Sequence, residues 1–201
     1  MHPQIEEIES LKEEGKLDDA LTLANELLSQ NPKDKQLLYQ IADIMYRKGE
    51  ILKAEKPINF LLDQEDSDAM GWYIKGVLEM EKTNRQEAKQ YLKKAMNLLE
   101  EENPEMMRCY AICQYRSGNR EEGMKYLKQA FSLNQADAEI ILNLVELSIL
   151  QHQWKHAKRY ISYYYQHKET LQFFDKPATY YDEKIILFQE YVAYQLGDDA
   201  K

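Results

Sequence analysis

Three hexapeptides decide the fold: Gly15-Lys-Leu-Asp-Asp-Ala20, Gly49-Glu-Ile-Leu-Lys-Ala54 and Gly118-Asn-Arg-Glu-Glu-Gly123. Each opens on glycine and closes, five residues on, on a residue with at most a methyl side chain. Thr83 to Ala88 and His152 to Ala157 keep the small residue and lose the glycine. In chain order the first three of these five segments, at Gly15, Gly49 and Thr83, start 34 residues apart. One extra residue sits near Asn103, and the spacing of 34 then resumes. The chain therefore divides into blocks 1–34, 35–68, 69–102, 104–137 and 138–171. A period of this length marks a stacked array in which no unit buries its apolar face alone. Within a block, a glycine can end one helix in a left-handed cap. The second helix then carries apolar residues at three- and four-residue steps, as in Leu21, Ala24, Leu27 and Leu28.

Composition excludes most other classes. The 201 residues are 44% hydrophobic, too apolar for a disordered chain. No run of about 18 apolar residues is present, so no membrane insertion is expected. Residues 1–32 hold no apolar leader core, and the chain is expected in the cytoplasm. Two cysteines cannot build a disulfide scaffold. Seven glycines and five prolines are too few for an all-β protein with many tight turns. The net charge of −9 disfavours nucleic acid, whose phosphates need Lys and Arg. That charge is uneven, with 3 basic and 9 acidic side chains in residues 1–34. This excess reads as a solvated outer face, or as a field that steers a basic partner.

The blocks resemble the tetratricopeptide repeat (TPR) family, a helix–turn–helix unit of 34 residues. Its fourth place, aromatic or large and apolar, reads Gln4, Leu38, Trp72, Met107 and Ile141. Its eighth, small, reads Ile8, Ala42, Gly76, Ala111 and Val145. Its twentieth is small in every block: Ala20, Ala54, Ala88, Gly123 and Ala157. The twenty-fourth holds Ala24, Ile58, Leu92, Leu127 and Ile161. Only Pro32 matches the family's proline at the thirty-second place, where Asp66, Glu100, Gln135 and Glu169 depart. The resemblance implies an all-α fold: a right-handed TPR superhelix, or α-α solenoid, of five repeats plus a C-terminal capping helix.

Five places depart from the pattern. Thr83 and His152 lack a turn glycine, so another helix ending is expected there. Pro57 falls inside the second helix of block two and should bend or delay it. Residues 172–182, Gln-Phe-Phe-Asp-Lys-Pro-Ala-Thr-Tyr-Tyr-Asp, read as a packed aromatic loop. Residues 183–201 read as a capping helix and tail, with Ile185, Ile186, Gln189, Val192, Ala193 and Leu196 on one face and Gly197 at the turn place. Glu190 stands where a small residue is expected, so this helix should dock at a different angle.

In the family the first helix of each repeat lines the concave side. Its fifth, ninth and twelfth places share a face, being four and three residues apart. Across the chain those places hold six of the fifteen tyrosines. The candidate peptide-binding residues are Tyr39, Asp43 and Tyr46; Tyr73, Val77 and Met80; Arg108, Ile112, Tyr115 and Arg116; Leu142 and Ile149; and Tyr191 and Tyr194. Tyrosine offers a large stiff ring and a hydroxyl, which suits recognition. The competing reading makes several of these residues core between neighbouring repeats. Arg108 and Arg116 could hold an acidic group on a ligand. The Lys and Asn of the family's carboxylate clamp are missing from the fifth and ninth places, which argues against that type of co-chaperone.

Little points to catalysis. His152 and His156 are four apart but lack a third ligand, so no metal is expected. Cys109 and Cys113 lack Cys-x-x-Cys spacing and read as core thiols. No phosphate loop or nucleophile motif is present. The expectation is a non-catalytic scaffold or adaptor, without cofactor, that binds a protein or peptide partner and no nucleic acid. A secretion or assembly chaperone that sequesters a client is the alternative. Self-association through terminal helices is a third expectation.

Overall fold

A computed structural model describes residues 3–174 and 176–197. Ten helices form five hairpins: α1 (Pro3–Glu13) with α2 (Leu17–Gln30), α3 (Lys35–Arg47) with α4 (Ile51–Gln64), α5 (Ala69–Glu81) with α6 (Arg85–Asn97), α7 (Pro104–Arg116) with α8 (Arg120–Leu133), and α9 (Ala138–Leu150) with α10 (Trp154–His167). A short 3₁₀ turn, Lys168–Thr170, leads toward α11 (Ala178–Leu196). Among the described residues the sole extended pairing is a single parallel bridge between Asp137 and Gln172. The fold is thus an all-α solenoid of the TPR type.

The helices group into two compact units, one ending at Glu101 and one starting at Glu102. The division falls where the repeat period slips. Most links between hairpins are the four residues 31–34, 65–68 and 134–137, whereas 98–103 is six long because α6 stops one residue early and Asn103 is inserted.

Each hairpin is closed by the same turn. At residues 15, 49, 83, 118 and 152 the backbone φ is positive, from 57° to 94°. The next N–H then reaches back five residues: Lys16 to the Leu11 carbonyl, Glu50 to Met45, Asn84 to Glu79, Asn119 to Gln114 and Gln153 to Ser148, all at 2.9–3.0 Å. This is the Schellman closure. The expectation of another ending at Thr83 and His152 is therefore corrected. Both take the left-handed conformation despite their Cβ, because the rest of the turn and the packed helices impose it.

Helix starts fall into two classes. The first helices of the second to fifth hairpins begin with a side-chain cap, in which Asp34, Asp68, Asn103 and Asp137 accept backbone N–H groups of the first turn. The second helices have no side-chain cap. Their first turn is placed by the preceding Schellman turn instead.

The small residues do the packing expected of them. Ala20, Ala54, Ala88 and Ala157 are fully buried, as are Ala24, Ile58, Leu92 and Leu127. A Cβ on Gly123 would lie 2.7 Å from the Ala111 carbonyl oxygen and 2.8 Å from the Tyr115 nitrogen, so α7 and α8 touch backbone to backbone. Helix α4 runs on through Pro57 without delay, since its other hydrogen bonds and the buried Ala54, Ile58, Leu61 and Leu62 hold it.

The last helix starts earlier than expected. It begins at Ala178, directly after Pro177, rather than at residue 183. Proline keeps the residue before it out of the helix, yet its own φ of −65° suits a residue that opens one. Tyr181, Ile185 and Val192 are buried on the core side, with Phe188 and Leu196 packed beside them. Ile186 is half-exposed and Gln189 exposed, so the buried stripe is rotated from the expected one. Residues 178–182 of the expected aromatic loop belong to this helix; before it, Phe173 packs against Tyr181 at 5.4 Å between ring centres, while Phe174 is 68% exposed.

Candidate functional site

In the first unit the candidate face is a polar lattice over an apolar floor. Lys12 on α1 is almost fully buried and lies 2.8 Å from Glu9 and 2.6 Å from Asp43 on α3. Arg47 also reaches Asp43, at 3.0 Å. Asp43 is therefore held between two cations of its own chain. The tyrosines of α3 are pinned by their hydroxyls. Tyr39 donates to Asp68 at 2.6 Å, and Tyr46 donates to Glu81 at 3.1 Å. Burial, reinforced by the Asp68 carboxylate, pushes the Tyr39 hydroxyl well above its ordinary pKa. Tyr46 is still 37% exposed. Tyr73, Val77 and Met80 on α5 are half-buried. These six side chains lie at the fifth, ninth and twelfth places of α3 and α5, and hydrogen bonds from Tyr39 and Tyr46 tie α3 to both ends of α5.

The second unit differs. Ile112, Tyr115 and Leu142 are only 6–8% exposed and belong to its interior. The Tyr115 hydroxyl is buried with no hydrogen-bond partner, and the Arg120 guanidinium lies 5.9 Å from its ring. Arg108 is engaged within the chain. It donates to Glu105 from two nitrogens, at 2.6 and 2.7 Å, and to Asn143 at 3.2 Å. Arg116 is exposed at the end of α7. Ile149 is half-buried against the core that α11 covers. The open part of this unit's candidate face is on α11, where Tyr191 is 46% and Tyr194 69% exposed. Leu187, one turn before Tyr191, is 58% exposed and extends the strip. Tyr191 is oriented by an edge-on contact with Trp154 at 5.7 Å.

No three His, Cys, Asp or Glu side chains among the described residues are grouped as a metal site requires. His152 occupies the α9–α10 turn and packs edge-on against Trp154. Cys109 and Cys113 are both buried free thiols. The residues that sequence reasoning passed over are the capping acids. Asp34, Asp68 and Asp137 recur at the last place of their blocks, and that recurrence was the available signal.

Comparison with known proteins agrees with this geometry. The tetratricopeptide repeat family model matches residues 11–78. No curated protein matches the chain. Among solved structures, PilW, a widely conserved type IV pilus biogenesis factor, is 18% identical with a TM-score of 0.82, over 98% of this chain and 86% of that one. PilF of Pseudomonas aeruginosa is 15% identical with a TM-score of 0.75, over 98% and 84%. A thermophilic TPR protein of Thermus thermophilus is 20% identical with a TM-score of 0.72, over 96% and 97%. The family match therefore covers the first repeats, residues 11–78, and nearly the whole chain shares the fold of these TPR structures.

Proposed function

We propose that the chain is a non-catalytic scaffold that binds a peptide or partner helix on the tyrosine-bearing faces of α3, α5 and α11. One observation carries this reading. On α11, Leu187, Tyr191 and Tyr194 lie on one line at four- and three-residue steps, and each is 46–69% exposed. Large apolar side chains left open in a row on a well-packed helix suit a partner surface. The pinned tyrosines of α3 support the same use in the first unit, since rings already ordered lose little entropy on binding.

A second reading is favoured by the fold likeness to PilW and PilF. On that reading the chain serves assembly of a fibre or secretion apparatus by holding a subunit or client. The two separate by stoichiometry and outcome. An adaptor binds a short linear segment saturably, whereas an assembly factor keeps its client from aggregating at about one to one.

The test compares pull-downs from the native host using wild type, Tyr191→Ala with Tyr194→Ala, Tyr73→Ala, and Leu52→Ala as a surface control 71% exposed. Loss of the same partner from the tyrosine variants alone, with unchanged circular dichroism, is the expected result. Equal capture by all four would remove the tyrosine faces from consideration. Tyr115→Ala is a poor probe, because at 8% exposure it removes interior packing as well.

A further inference from the structure

An open pocket of about 630 Å³ lies in the first unit, where the end of α2 and the 31–34 link meet α1 and α3. Its apolar lining is Ile5, Leu27 and Leu37, each 5–8% exposed. Its polar lining includes Glu9, Asp34 and Gln40 with four more carboxamides, and no lysine or arginine among the described residues lines it.

The donors and acceptors around it do not balance. Gln40 is 9% exposed, and its Nε2 donates to Glu9 Oε1 at 2.7 Å. Its own Oε1 is buried and receives no hydrogen bond. A buried acceptor left empty is costly, and native structures seldom keep one without a reason. The group that would complete this site is an N–H donor. Two carboxylates beside it, in the most acidic block of the chain, ask that the donor be cationic. The apolar lining asks for an alkyl stem.

We propose that this pocket binds a basic side chain of a partner protein. The stem of an arginine or lysine lies along Ile5, Leu27 and Leu37, and its N–H groups serve Gln40 Oε1 and the Glu9 carboxylate together. A guanidinium, with five donors in a fixed plane, can meet both at once. The Glu9 carboxylate already takes Lys12 through Oε2 at 2.8 Å, so an incoming cation shares that group rather than replacing its partner. Asp34 holds the start of α3 through Oδ1 and adds negative charge at the rim. This site does not depend on the tyrosine faces and stands if they bind nothing.

The probes are N-acetyl-arginine amide, N-acetyl-lysine amide and N-acetyl-citrulline amide, the last an uncharged isostere of the first. Each is titrated into the full chain and followed by amide NMR. The expected result is a saturable shift of the Gln40 side-chain amide and of the Ile5, Gln36 and Leu37 backbone signals with arginine or lysine. Citrulline should bind about fivefold more weakly or worse. Glu9→Gln should erase that preference. Asp34→Asn, which keeps a capping oxygen for α3, should reduce it without loss of helicity, and it remains informative if Glu9→Gln disturbs Lys12. Equal binding of citrulline overturns the proposal, as do shifts that never saturate and spread over the acidic surface. Full retention of the preference in both variants overturns it too.

Discussion

Two residues in this chain occupy places that glycine fills elsewhere. Thr83 has φ of 63°, the left-handed region, where a branched Cβ crowds the carbonyl. It is exposed and its turn is held by backbone bonds, so the side chain returns little. Thr83→Gly is expected to stabilise the protein by about 0.5–1 kcal/mol, the relieved strain less the extra freedom of glycine in the unfolded chain. A rise in the urea midpoint at constant m would show it; a fall would mean that Thr83 packs more favourably than its exposure suggests. Gly123 is the opposite case. Its missing Cβ makes room for the α7 backbone, which cannot give way as a side chain can. Gly123→Ala is expected to cost about 1–3 kcal/mol by overpacking, read as a lower melting temperature. Ordinary helix propensity predicts the reverse sign, which makes the experiment decisive.

The elements are assembled by two devices that alternate along the chain. Asp34, Asp68, Asn103 and Asp137 start each new hairpin by capping its first helix. The Schellman turn then starts the second helix without a side-chain cap. In two hairpins a side-chain bond locks that turn further: Asn84 Nδ2 donates to Glu79 at 2.6 Å, and Asn119 Nδ2 donates to Gln114 at 2.8 Å. Glu79 is buried and pairs with Lys82 at 2.6 Å, so in the third hairpin the lock is also an ion pair that compensates for the absent glycine. Helix α4 shows how far packing overrides local preference. Pro57 leaves the Lys53 carbonyl without its helical donor, yet the helix continues. Pro57→Ala restores that bond and is expected to raise stability by about 1–3 kcal/mol, measured by chemical denaturation. An unchanged midpoint would mean that α4 has already relaxed around the ring.

Across the whole molecule, both units contain a tyrosine hydroxyl that donates to a carboxylate: Tyr39 to Asp68 in the first, and Tyr164 to Asp182 at 3.0 Å in the second. Burial first, and the carboxylate second, raise both hydroxyls above their ordinary pKa of 10.0. The folded-state values lie above the unfolded ones. This contribution is therefore complete below about pH 10 and is lost as pH rises beyond it. Tyr39→Phe with Tyr164→Phe should be less stable than wild type near neutrality and should lose stability less steeply above pH 10, in denaturant titrations across pH. Parallel curves for the two proteins would rule these hydroxyls out as the source of alkaline sensitivity.

The 34-residue period, the helix pairing and the small contact residues are legible in the chain itself, because backbone capping and close helix packing act between residues near in sequence and demand particular side chains. The capped starts at Asp34, Asp68 and Asp137 are equally local, and show once the block ends are lined up. Exposure is not legible. Tyr115 in the fourth block and Tyr194 in the capping helix both read as twelfth-place tyrosines, yet Tyr115 is covered while Tyr194 stands open, because burial depends on which neighbours arrive from elsewhere in the chain. The same holds for Arg108, whose charge reads as a hook for a ligand until Glu105 and Asn143 are found around it. The start of α11 reads too late for the reverse reason: Pro177 looks like a barrier, and only the core behind Tyr181 and Ile185 makes the following five residues helical. Sequence alone determined what repeats, since periodicity is a one-dimensional property. Tertiary structure alone decided which of the repeated side chains remain available to a partner, since availability is whatever packing leaves over.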